Sequence, residues 1–218
     1  MAIPRTLALA LASALLALLT GGAAEARPTD PGTGVPVLLS ASSPPASRDS
    51  VRRAVTATLS IPAIGLRELP VVPYDGTTDD TGGTRIQNRG VAASPRGEHG
   101  GVGPGEIGNY LVTAHRLSAG GPLRALPALR DGDTVTVTED GRTHVYEITD
   151  TRRTSFRSER SLAEQRAPVP GHPGERPTRA MITLSTCATP EDDAAGNFWR
   201  DEHGNPEHRI DKIGVLRD

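Results

Sequence analysis

The single cysteine of this chain, Cys187, and one of its six histidines are the residues best suited to nucleophilic chemistry. A thiol attacks only as thiolate, and an unperturbed thiol is mostly protonated near neutral pH, so it needs a basic or cationic neighbour. Cys187 closes the apolar run Ala180-Met181-Ile182-Thr183-Leu184-Ser185-Thr186, and Ala188-Thr189-Pro190 then breaks the pattern. A side chain at a strand end, facing a loop, is placed to react rather than to pack. His99, His172, His203 and His208 fall in polar, Gly/Pro-rich sequence, and His144 falls inside an expected hairpin. His115 differs: it ends the apolar run Asn109-Tyr110-Leu111-Val112-Thr113-Ala114, the same strand-end placement as Cys187. Two strand ends meeting at one rim would form a Cys–His pair. The competing reading is a buried inert thiol and a solvated strand-end histidine.

Acyl chemistry at a thiol also needs a donor for the developing oxyanion. Arg209 opens the last apolar run, with Ile210, Ile213, Val215 and Leu216 behind it. Arg200 lies closer to the cysteine in sequence but within a loop. Spacing alone leaves both as candidates.

These residues need strands to hold them. Thr56–Ile64, Leu69–Tyr74, Asn109–His115, Thr134–Thr138, Thr143–Thr151, Arg179–Cys187 and Arg209–Leu216 read as strands, separated by Gly/Asp/Pro turn clusters. Glu139-Asp140-Gly141 joins two alternating runs as a hairpin. Helical patterns are confined to Pro122–Leu129 and Ser161–Arg166. Many short strands with one or two short helices and long loops predict an all-β barrel or sandwich. The composition agrees: 24 glycines, 19 prolines and only 3% aromatic residues suit a loop-rich fold short of bulky side chains.

The domain is expected to occupy residues 54–218. Residues 1–26 carry Arg5, a Leu/Ala run over Thr6–Leu19 and the small-residue pattern Ala24-Glu25-Ala26, as in a signal peptide or signal anchor. Residues 27–53 are rich in Pro, Ser and Ala without periodicity and read as a disordered stalk. An exported chain with one cysteine has no disulfide framework, which leaves the thiol free.

Other function classes are excluded. A formal net charge of −2 without a basic stripe argues against nucleic-acid binding. One cysteine and no His-x-x-x-His helix argue against a metal site. Gly101-Val102-Gly103-Pro104-Gly105 precedes a strand rather than a helix and so lacks the geometry of a phosphate loop. Glu191-Asp192-Asp193 and Asp201-Glu202-His203 read as solvated acidic loop tips, and Phe198-Trp199 either line a peptide groove or, the favoured reading, pin their loop to the barrel.

Taken together, Thr183-Leu184-Ser185-Thr186-Cys187, Thr113-Ala114-His115-Arg116 after Gly105-Glu106-Ile107-Gly108-Asn109-Tyr110, and the opening Leu59-Ser60-Ile61-Pro62-Ala63-Ile64-Gly65-Leu66 resemble the sortases. These are exported cysteine transpeptidases of Gram-positive bacteria, and the motif forms are most similar to class E enzymes of actinobacteria. The resemblance implies a closed eight-stranded β-barrel in which Cys187 attacks the Thr–Gly bond of a C-terminal sorting signal of Leu-Pro-x-Thr-Gly or Leu-Ala-x-Thr-Gly type. It implies His115 as acid/base, Arg209 as substrate-positioning and oxyanion residue with Thr186 beside it, and no cofactor. A thioacyl enzyme would be resolved by an amine of a peptidoglycan precursor or pilin. The enzyme would be extracytoplasmic, membrane-associated through its N-terminal segment only, or secreted. The alternatives are an exported cysteine peptidase and a catalytically silent wall-associated β-domain.

Overall fold

A computed structural model describes residues 57–217; the expected leader at 1–26 and stalk at 27–53 lie outside the described residues. Eight strands are present: β1 (Ala57–Ile61), β2 (Leu66–Asp75), β3 (Ala92–Arg96), β4 (Gly108–Thr113), β5 (Thr134–Glu139), β6 (Arg142–Ser155), β7 (Ala180–Cys187) and β8 (His208–Leu216). They close into a barrel in the order β1-β2-β3-β4-β7-β8-β6-β5. Three short helices decorate it: α1 (Thr81–Gln87), α2 (Glu159–Arg166) and α3 (Thr189–Ala194). Closure gives every strand two neighbours, which suits a small all-β domain.

Strand alternation builds the core. Leu59 and Ile61 of β1, Val135 and Val137 of β5, Tyr146 and Ile148 of β6, and Ile182 and Leu184 of β7 all point into one apolar cluster. The β4–β5 connection adds Leu123, Leu126 and Leu129. All six residues of β4 are buried, so this strand reads as a continuous apolar run rather than an alternating one. Asn109 on its outer face donates through Nδ2 to the carbonyls of Gln165 in α2 and of Ala167 just past that helix. The expected hairpin is present: Asp140 and Gly141 both have positive φ and Glu139 pairs with Arg142, the two-residue turn that suits strand twist.

Four elements differ from expectation. β3 has the sequence Ala-Ala-Ser-Pro-Arg, poor in strand formers. Its pairing with β2 forms it: five residues align in parallel register, while β3 meets β4 at a single pair, Ala93↔Thr113. α1 carries Gly82-Gly83 in its first turn, which hides a helix from propensity, but Asp80 caps it by accepting from Gly83 N at 2.7 Å. A methyl group at Gly83 would overlap the Tyr74 hydroxyl, so packing requires the glycine. α3 starts where Thr189-Pro190 signals a break, because proline is tolerated in the first turn of a helix. The helix expected over Pro122–Leu129 is one 3-10 turn, Leu126–Ala128, interrupted by Pro127.

Candidate active site

Three adjacent strands carry the candidate residues to one rim. β4 and β7 run parallel with Thr113 level with Ser185, and Ala114 N donates to Ser185 O at 3.2 Å. Continuing that register sets His115 level with Cys187. β7 and β8 are antiparallel, and Cys187 stands directly opposite Arg209. Alternation keeps Ile182 and Leu184 inside the barrel and turns Thr183, Ser185 and Cys187 to the other face. His115 and Cys187 both line a cavity of about 270 Å³ together with Asn88, Arg116, His203 and Asn205.

The groups around the pair decide its protonation. His115 Nε2 lies 2.8 Å from Asn88 Oδ1 at the C-terminus of α1. An amide oxygen only accepts, so Nε2 carries the proton and Nδ1 is the basic nitrogen. Burial lowers the His115 pKa; Asp79 pulls it up and Arg209 pushes it down. Burial raises the Cys187 thiol, opposed by the Arg209 and Arg116 cations and reinforced by Asp79 and Asp201. Both shifts favour the uncharged forms, a protonated thiol and a neutral imidazole. The expectation of a cationic neighbour is met, but desolvation outweighs it.

Arg209 is 1% exposed and held on three sides. Its Nε donates to Asp79 Oδ2 at 3.3 Å, its Nη1 donates to Pro206 O at 3.1 Å, and the guanidinium lies 3.9 Å from the Phe156 ring centroid. Its Nη2 is buried without a protein acceptor. Arg200 has no such position: it ion-pairs with Asp193 of α3 and donates to Trp199 O at 2.7 Å in its own loop. The choice that spacing leaves open is thus separated by geometry.

Thr186 faces the opposite way from Cys187. It is buried, and its hydroxyl donates to Ala114 O at 2.8 Å, fastening the end of β7 to the residue before His115. The expected side-chain contact beside the oxyanion is not made, since alternate residues of a strand point to opposite faces.

The acidic run after the cysteine is not a solvated tip. Glu191 makes a two-pronged ion pair with Arg116 at 2.9 and 3.0 Å, and Arg116 Nη1 also donates to Cys187 O at 3.2 Å. Burial acts upward on the Glu191 carboxyl, but the Arg116 bonds outweigh it and hold it below the ordinary range. Asp192 is fully buried and accepts from His208 N at 3.0 Å, from His208 Nδ1 at 2.9 Å and from Arg153. These bonds pin α3 between β4, β6 and β8. Charge alone does not distinguish such a frame from a solvated run. Trp199 packs beneath the Arg157 guanidinium, 5.9 Å from its ring, whereas Phe198 is 71% exposed and pins nothing.

Asn88, Asp79, Arg116 and Phe156 are the contributors that sequence reasoning missed. Only Arg116, the last residue of Thr113-Ala114-His115-Arg116, falls within a recognisable motif, where its type alone gives it no role. Among the described residues, no group of three or more His, Cys, Asp or Glu side chains converges to hold a metal ion.

Comparison with known proteins places this arrangement. A family model described as a sortase domain matches residues 59–198. Sortase E from Streptomyces avermitilis aligns at 25% identity with a TM-score of 0.54, covering 75% of this chain and 88% of that one. Sortase E1 from Streptomyces coelicolor, solved with a tripeptide in its active site, aligns at 21% identity with a TM-score of 0.56, covering 75% and 88%. A sortase from Actinomyces oris aligns at 20% identity with a TM-score of 0.55, covering 75% and 79%. No curated protein sequence matches.

Proposed function

The chain belongs to the sortase family and is a cysteine transpeptidase, and we propose that Cys187 is its nucleophile, His115 its acid/base and Arg209 its oxyanion donor. The observation that carries this reading is the rim geometry: Cys187 stands opposite Arg209 across β7 and β8, and it lines one cavity with His115, two residues beyond the Thr113–Ser185 pair of β4 and β7.

In the reaction we assign, His115 Nδ1 takes the thiol proton as Cys187 Sγ attacks the carbonyl of the threonine in a sorting signal. Negative charge on the carbonyl oxygen is met by the Arg209 guanidinium. The C–N bond to glycine breaks, and the imidazolium returns its proton to the departing amine. A thioester now joins the substrate to Cys187. An incoming amine attacks it, loses a proton to His115, and releases the product with the thiol restored. Because burial favours the uncharged thiol and imidazole, we assign thiolate formation to the step in which substrate binds. Thr186, Arg116 and Asn88 act on geometry, holding the two strand ends and the imidazole.

The motif pattern supports a signal of Leu-Pro-x-Thr-Gly or Leu-Ala-x-Thr-Gly type, with an amine of a peptidoglycan precursor or pilin as acceptor in a Gram-positive, actinobacterial host. Sortases work outside the cytoplasm at the cell surface. For this chain we assign attachment or export to residues 1–26; among the described residues, no helix is long and apolar enough to cross a membrane.

The direct test incubates the protein with each peptide, with and without triglycine, and reads mass spectra. An acyl adduct on Cys187 and an amine-dependent ligated product are expected, both absent in Cys187→Ala. Cleavage without any ligated product would reassign the protein as a peptidase. Absence of adduct with both peptides would remove the proposed signals.

A further inference from the structure

The segment between β2 and α1 places Asp79 against Arg209, 130 positions away in sequence. Asp79 has φ 61, a left-handed conformation unusual for a residue with a side chain. Its neighbours are each anchored. Tyr74 Oη donates to Thr77 O at 2.5 Å, and Arg166 Nη1 donates to Thr77 Oγ1 at 3.1 Å. Thr78 Oγ1 donates to Gln165 Oε1 at 3.0 Å, and Asp80 accepts from Thr77 N and caps α1. The backbone is thus held so that one carboxylate points at the guanidinium. Both side chains are nearly sealed from water, at 1% and 8% exposure for Arg209 and Asp79.

We propose that Asp79 is a positioning residue for Arg209: it clamps Nε so that, with Nη1 on Pro206 O and the plane against Phe156, Nη2 is the one arm left for the substrate oxyanion. This rests on the transpeptidase reading and adds a residue to it. The geometry suits the role. Guanidinium arms lie in one plane, so fixing Nε and Nη1 fixes the direction of Nη2. A buried N–H of a cation without a protein acceptor is costly, and a substrate oxygen reaching Nη2 would relieve that cost.

The carboxylate also has a cost that makes the role measurable. The charged and titratable groups around Cys187 are Arg209, Asp79, Asp201 and Arg116, with His115 and His203 in the same cavity. Asp79 opposes the thiolate while it orients the cation that assists the reaction. Removing it therefore moves two readouts in opposite directions, which a merely structural residue does not do.

The experiment compares the parent protein with Asp79→Asn, Asp79→Gly, Arg209→Ala and Asp79→Asn/Arg209→Ala. Glycine accepts the left-handed φ without strain, so that variant keeps the loop while deleting the carboxylate. Two quantities are read: the pH dependence of Cys187 alkylation by iodoacetamide without substrate, and kcat and KM for peptide transfer to triglycine. In both Asp79 variants the alkylation profile is expected to shift to lower pH while kcat falls about tenfold or more with little change in KM. The double variant is expected to turn over no more slowly than Arg209→Ala alone, since Asp79 acts through the arginine. A kcat equal to or above the parent in Asp79→Asn overturns the proposal, and so does an additive loss in the double variant. Alkylation and turnover falling together would mark a structural residue and overturn it as well. Should the parent transfer no peptide, the transpeptidase assignment fails by itself, and the alkylation arm still decides whether Asp79 acts on Cys187.

Discussion

Arg116 Nη1 donates to the carbonyl oxygen of Cys187 at 3.2 Å, so the residue that follows the candidate base holds the backbone of the candidate nucleophile. The same guanidinium grips Glu191 of α3 with both arms and donates through Nε to Arg124 O at 3.0 Å. One nearly buried cation therefore ties together the end of β4, the end of β7, α3 and the β4–β5 connection.

Arg116→Lys keeps the charge but loses the planar fork, so only part of this frame survives. Misplacing reacting groups by about 1 Å costs on the order of a hundredfold. We expect kcat to fall about tenfold to a hundredfold, with a modest loss of stability because Glu191 is partly exposed. Single-turnover acylation and thermal melting measure the two. Unchanged acylation would show that the clasp does not govern the nucleophile.

His115→Ala is expected to reduce acylation by several orders of magnitude, since thiol activation and protonation of the leaving amine are lost together. Arg209→Ala should be severely impaired and Arg200→Ala nearly normal, because Arg200 is bound to Asp193 of α3 and to Trp199 in its own loop. Stopped assays on the peptide signal rank the three variants. Equal loss in the two arginine variants would end the assignment of the oxyanion role to Arg209.

With burial raising the thiol and lowering the imidazole, alkylation of Cys187 without substrate should be slow at neutral pH and climb into the alkaline range. Removing the Arg209 cation takes away the strongest influence favouring the thiolate, so in Arg209→Ala the profile shifts further toward high pH. Iodoacetamide rates between pH 6 and 10 test the sign. A shift to lower pH would contradict this electrostatic assignment.

Asp211 is buried on the face shared with Ser185, accepting from Thr154 Oγ1 at 2.5 Å and Gln165 Nε2 at 3.0 Å. Burial raises its pKa despite those bonds. The folded state therefore holds this proton more tightly than the unfolded chain. Its contribution is most favourable below the ordinary carboxylate pKa and declines as pH rises through the raised value. Asp211→Asn, uncharged throughout, should flatten that part of the stability–pH curve. Melting temperatures from pH 4 to 8 in both proteins check it; parallel curves would exclude Asp211 as the source.

The sequence by itself determined the candidate nucleophile, the candidate base and most strands. Cys187 and His115 each end an apolar run, and strand ends are visible locally because side-chain alternation and turn residues act over a few positions. Seven of the strands announce themselves this way. β3 does not, since Ala-Ala-Ser-Pro-Arg becomes a strand only when β2 supplies its partner. The tertiary structure alone decided which arginine stands beside the thiol, because register between β7 and β8 depends on the barrel's closure rather than on spacing. It also decided that the acidic run Glu191-Asp192-Asp193 is an ion-paired frame and that Thr186 fastens a strand rather than facing the site. Least legible were Asn88 and Asp79, both distant in sequence from the dyad and ordinary as polar residues. Their contribution depends on where a capped helix and a left-handed turn deliver one amide and one carboxylate, and only the closed fold sets that distance and the desolvation that makes it matter.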